Sequence, residues 1–133
     1  MLHRALAAYF AICTLIASYT LLPFILQNGA SSLSFIQIAL YADIHIFCAA
    51  VAAILIWKNK SWGFVFALIP PISQVFRPIG DWAWLALPPP ISLAWPFGDF
   101  STGRGFLIDF LAITVFLLCL YGVFTKRSKT NIE

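Results

Sequence analysis

The chain has 133 residues, of which 62% are hydrophobic and 10% charged, with a net charge of +3 and a mean hydropathy of +0.92. Soluble domains carry roughly a quarter of their residues as charges, so the composition argues against a soluble enzyme and for an all-α integral membrane protein. The positive charge does not describe a nucleic-acid surface, because the basic residues stand at the ends of apolar segments and form no patch interleaved with aromatics.

The first apolar segment, 5–26, contains no charged residue. It is longer than the roughly 7–15-residue core of a signal peptide, so an uncleaved first membrane span is expected. After the uncharged turn "QNGASS", the second segment, 33–57, contains only Asp43 and His45 as ionisable groups of the Asp/Glu/His/Lys/Arg kind. A tight charged turn, "KNK", follows. The third segment, 62–76, reaches only about 22 Å as a helix, short of the roughly 30 Å hydrocarbon core. It is also interrupted by Pro70 and Pro71, each of which removes a helical donor. A long connection, 77–105, is rich in Pro, Gly and Trp, too apolar for a free loop and too Pro-rich for a span. An outer interfacial cap or a re-entrant element is expected there. The fourth segment, 106–124, carries one charge, Asp109, which the helix dipole favours near an N-terminus and which Arg104 is close enough to compensate.

Four spans place six of the eight Lys and Arg residues on one side: Arg4, Lys58, Lys60, Lys126, Arg127 and Lys129. Arg77 and Arg104 fall on the other. The positive-inside rule then puts both termini in the cytoplasm and the chain in a cytoplasmic (inner) membrane. The tryptophans agree, since Trp57 and Trp62 bracket "KNK" while Trp82, Trp84 and Trp95 lie in the outer connection, where amphipathic rings favour the headgroup region.

The unusual polar groups lie in the second segment. At 100° per residue, Ser34, Gln37, Tyr41, His45 and Cys48 share one face, and Asp43 points roughly 160° away from His45. A carboxylate near the bilayer midplane costs about 2.5–3.5 kcal/mol on insertion scales. Asp43 is therefore expected to be neutral, or to meet a donor such as Thr14 or Ser18, or to meet a group on another subunit. Gln74, Arg77 and Asp81 form a second, outer cluster, with Arg77 and Asp81 at i, i+4 spacing suited to an ion pair. Small residues Ala7, Ala11, Thr14 and Ser18 in the first segment, and Ala49 and Ala53 in the second, predict a close helix–helix seam.

No cofactor is implied. His45 and Cys48, with Tyr41 adjacent, have the spacing to touch one metal, but two ligands do not make a site, and His3 lies at a different depth. Cys13, Cys48 and Cys119 sit singly in apolar segments, as buried hydrophobes do. No catalytic motif such as GxSxG, HExxH or a phosphate loop occurs. The sequence therefore favours a non-catalytic accessory or structural subunit of a membrane complex, its polar stripe buried against a partner or a second copy. The alternative is a small oligomeric proton- or ion-coupled transporter using Asp43 and His45, and a third reading is a redox or quinone-site subunit.

Overall fold

The computed structural model describes residues 1–28, 35–78, 90–102 and 104–130, except for the side chains of 22–28, 35–37 and 126–130. The fold is mostly helical, and two of its helices are long and apolar enough to cross a membrane, over Leu2–Leu21 and Ile38–Trp57.

Helix α1 spans Leu2–Asn28, about 40 Å at 1.5 Å per residue. A second rod is built from α2 (Phe35–Tyr41), a π-helical segment (Ala42–Cys48) and α3 (Ala49–Trp57). The "KNK" turn closes α3 with a Schellman motif: Lys60 N–H donates to Leu55 C=O at 2.8 Å and Asn59 N–H to Ile56 C=O at 2.9 Å. Asn59 occupies the left-handed position with φ 56°, where Asn is the usual substitute for Gly. The chain then returns as α4 (Trp62–Ala67) and α5 (Ile69–Gln74). Pro70 and Pro71 stand in the first turn of α5, where a missing N–H costs nothing. The break they impose falls at Leu68, and the rod steps there without ending.

The expectation of an all-helical chain is corrected beyond Gln74. A three-stranded antiparallel sheet is formed by β1 (Phe76–Pro78), β2 (Ala94–Phe97) and β3 (Phe106–Asp109), in the order β1-β3-β2. Residues 106–109, expected as the first turn of the fourth helix, are its central strand, and helix α6 begins one residue later, at Phe110–Thr130. In the register, Phe76 faces Ile108 and Phe97 faces Phe106. The ring of Phe106 lies 5.0 Å from Phe76 and 5.8 Å from Phe97. The two edge strands carry Pro78 and Pro96 and the central strand carries none, the distribution expected of a residue that cannot donate to a ladder. The 77–105 stretch thus contributes two strands, and Trp82, Trp84 and Asp81 lie outside the described residues.

The core runs between α1, α3, α4 and α6. It is formed by Leu6, Ala7, Phe10, Ala49, Ala52, Ile56, Phe64, Ala67, Val115 and Cys119, with Ala53 at its margin. The seam between α1 and the second rod exists, but the buried face of α1 follows Leu6, Ala7, Phe10, Cys13 and Ala17, the last packed on Tyr41, while Ala11 and Ser18 are exposed. Thr14 and Ser18 turn back to the carbonyls of Phe10 and Thr14, each at 2.8 Å, and so donate within α1 itself. Two glycines permit the tightest approaches. A Cβ at Gly63 would meet Ile56 N at 2.6 Å, and one at Gly122 would collide with the Phe64 ring.

Candidate functional site

Two buried polar clusters sit at the end of the helical core away from the "KNK" turn. The first centres on His45, which is 1% exposed and lies within the π-helical segment. Burial on this rod recurs every fourth residue at Tyr41, His45 and Ala49, and then at spacings of three, one and three through Ala52, Ala53 and Ile56. The wider turn accounts for the first interval, and it moves Cys48 off the stripe an ideal helix would give it. Cys48 is half-buried, and the side chains of Ser34 and Gln37 lie outside the described residues. The His45 ring packs 4.8 Å from Tyr41, whose hydroxyl lies 3.4 Å from Thr20 Oγ1.

His45 finds its partner inside the chain, on α5. Gln74 Nε2 is 3.0 Å from His45 Nδ1. An amide NH2 can only donate, so Nδ1 accepts and the ring proton of neutral His45 belongs on Nε2. That Nε2 is buried without a hydrogen bond. Tyr9, Cys13, His45, Pro70, Pro71 and Gln74 are among the residues lining a cavity of about 10 Å³, room for one water-sized group. Tyr41 and His45 of the stripe are buried by this chain itself.

Asp43 behaves in the opposite way. It is exposed on the rod's outer surface, near the exposed side chains of Leu40 and Phe47. Among the described residues it makes no hydrogen bond or ion pair.

The second cluster was not legible as a site. Asp109 is 0% exposed and joins the sheet to α6. Its backbone N–H donates to Val75 C=O at 3.0 Å. Its Oδ1 accepts from the N–H groups of Leu93 (3.2 Å), Leu111 (3.0 Å) and Ala112 (3.1 Å). The last two are the unpaired first-turn donors that an N-cap carboxylate satisfies. Asp109 Oδ2 lies 3.8 Å from Arg77 Nη2, which also donates to Ser92 Oγ at 2.8 Å. Arg77 therefore faces Asp109, and the counter-charge is not the Arg104 expected from sequence. The local signal was an Asp directly before "FLAITVFLL", an N-cap pattern hidden by reading the helix four residues early.

No known protein family, curated protein or solved structure matches this chain.

What the two clusters can do follows from their chemistry. The Asp109 cluster is an acceptor whose Oδ1 is committed to three backbone donors and whose Oδ2, buried without a hydrogen bond, faces Arg77, so it orders the junction of sheet and helix. The His45 cluster joins the middle of one rod to the end of another. Neither brings together a nucleophile, a base and an open substrate volume. Among the described residues there is no group of three His, Cys, Asp or Glu side chains placed to hold a metal. Outside these clusters, Ser101 donates to Asp99 through Oγ (2.6 Å) and N–H (2.9 Å), and these bonds hold the Asp99 carboxyl below the usual aspartate range.

Proposed function

We propose that the chain is a four-span inner-membrane protein with both termini cytoplasmic, acting as a non-catalytic subunit that docks through the Asp43 face of its second rod. The observation that carries this reading is the exposed carboxylate of Asp43 among exposed apolar side chains. Asp43 is fourteen residues from Trp57, about 21 Å along the rod. With Trp57 and Trp62 at one interface, that depth lies inside a roughly 30 Å core. A carboxylate facing lipid there is costly, and a donor or cation on another chain removes the cost.

Further support comes from the surface. The outward faces of all four rods carry large apolar side chains, such as Leu15, Phe47, Ile54, Val65, Ile72, Leu117 and Phe124. The third rod, Trp62–Gln74, is about 20 Å long. In this reading the sheet completes the crossing as an interfacial cap, with Phe76, Trp95 and Phe97 exposed on it.

The test is native mass determination after gentle-detergent purification of wild type, Asp43→Asn and Asp43→Leu. A fixed-ratio complex that survives Asn and dissociates with Leu is the expected result. A monomeric wild type, or a complex indifferent to Leu, removes the proposal. The transporter alternative draws on His45 lying in a π-helical segment, a geometry often found at functional positions. Against joint use of the two residues, Asp43 faces outward and His45 inward. Proton flux in vesicles that is abolished by both Asp43→Asn and His45→Ala would favour that alternative.

A further inference from the structure

At the "KNK" end, the start of α1 and the end of α3 enclose two adjoining depressions that share Trp57. One is a cleft of about 260 Å³ lined by residues that include His3, Arg4, Ile56, Trp57 and Asn59. The other is a groove of about 280 Å³ lined by Ala7, Ala8, Ala11, Ala53, Ile54, Trp57 and Lys58. Their chemistry differs in a way that matches two halves of one ligand. The cleft is polar and carries the guanidinium of Arg4. The groove is walled by alanines and Ile54, and Lys58 is among the residues lining it. Among the described residues no acidic side chain lines either one; of the chain's five acidic residues, Asp43, Asp81, Asp99 and Asp109 belong to other parts of the sequence, and Glu133 lies outside the described residues. Arg4, Lys58 and Trp57 are all exposed.

We propose that this α1–α3 face binds one anionic phospholipid. Its phosphate sits over the cleft between Arg4 and Lys58, and one acyl chain runs along the alanine groove. Basic side chains flanking a groove between membrane helices are the arrangement that captures acidic headgroups, and Trp57 between the two depressions stands where an indole meets the glycerol region. The small side chains give the groove its width. Ala8 and Ala11 are exposed there, while Ala7 and Ala53 are buried against the partner helix. The proposal rests on the membrane reading above and adds to it a ligand class and a leaflet.

The experiment uses the full chain, purified in mild detergent, delipidated, and offered phosphatidylglycerol or phosphatidylcholine with matched acyl chains, with bound lipid read by native mass spectrometry. One phosphatidylglycerol is expected per chain, preferred over phosphatidylcholine by about thirtyfold, the order that two interfacial cations supply. Arg4→Gln and Lys58→Gln should each reduce that preference by several-fold, and Lys60→Gln, outside both depressions, should not. Ala11→Trp, at an exposed position, should fill the groove and lower retention of both lipids with the melting temperature unchanged. Equal retention of the two lipids by wild type, or indifference to the charge variants, overturns the proposal. So does indifference to Ala11→Trp, or glycerol 3-phosphate binding as tightly as the lipid. A second helix occupying the groove would appear as a dimer that sheds lipid, and that result also overturns it. Carbonate extraction of native membranes separates the two readings. Protein released by carbonate defeats the membrane assignment, and protein retained without lipid preference defeats this site alone.

Discussion

Gln74, the last residue of α5, lies 3.0 Å from the Nδ1 of His45 in the π-helical segment, so the end of the third rod is tied to the middle of the second. Replacing Gln74 by Leu leaves a buried ring nitrogen unpaired, which costs about 1–3 kcal/mol. Replacing both partners by apolar residues removes the unpaired group along with the bond. Thermal unfolding of Gln74→Leu, His45→Phe and the double variant should therefore show the double variant losing less than the two singles combined. Strict additivity would mean the bond carries no coupling.

Asp109 combines an N-cap with a buried counter-charge, and two substitutions separate these roles. Asp109→Asn retains an oxygen for the amides of Leu111 and Ala112 but removes the charge facing Arg77. Asp109→Ala removes both. Loss of one partner of a buried pair costs about 3–5 kcal/mol, and loss of a cap about 1 kcal/mol. The Ala variant should therefore melt below the Asn variant, and Arg77→Met combined with Asp109→Asn should recover part of the loss. A melting temperature for Asp109→Ala close to wild type would show that the junction is held by something else.

Gly122 lets α6 approach the ring of Phe64. A methyl at that position collides with Phe64, so Gly122→Ala should destabilise by about 1–3 kcal/mol through overpacking. Phe64→Leu should relieve the collision. If Gly122→Ala alone raises the melting temperature through helix propensity, the close approach is not the reason for glycine there.

The Asp99 turn gives a pH dependence. Its carboxyl is held below the usual range by Ser101, so the folded form favours the charged state. The resulting stabilisation is present above the ordinary aspartate range and is lost as pH falls through the lowered value. Amide exchange at Ser101 should accelerate over that acidic interval, and Asp99→Ala should exchange fast at neutral pH as well. A protection profile flat across the interval would count against the bond.

Reading the sequence reached the two long apolar helices and the "KNK" turn because those signals are local: unbroken hydropathy and clustered polar residues. The strand Phe106–Asp109 escaped for a physical reason. Three apolar residues and an aspartate contiguous with a helical run have no periodicity of their own, and their partners, Phe76 and Trp95 among them, lie far along the chain. The π-helical segment likewise shifted Cys48 away from His45, because the face was drawn on an ideal 100° wheel. The α1 seam moved from Ala11 and Ser18 to Phe10 and Cys13 because bulk, as well as smallness, decides which face is buried when helices pack. The separation of His45 from Asp43 survives the wider turns, since residues two apart diverge in either geometry.

The prolines at the rims of the sheet have a consequence for growth by strand addition. An uncovered strand edge invites a neighbour's strand and, repeated, builds a ribbon without limit. Pro78 and Pro96 each withhold a backbone donor from any incoming strand, so this sheet is a poor template for growth. A second copy meeting these rims finds ring methylenes in place of backbone donors at those two positions, and the ladder is not extended there.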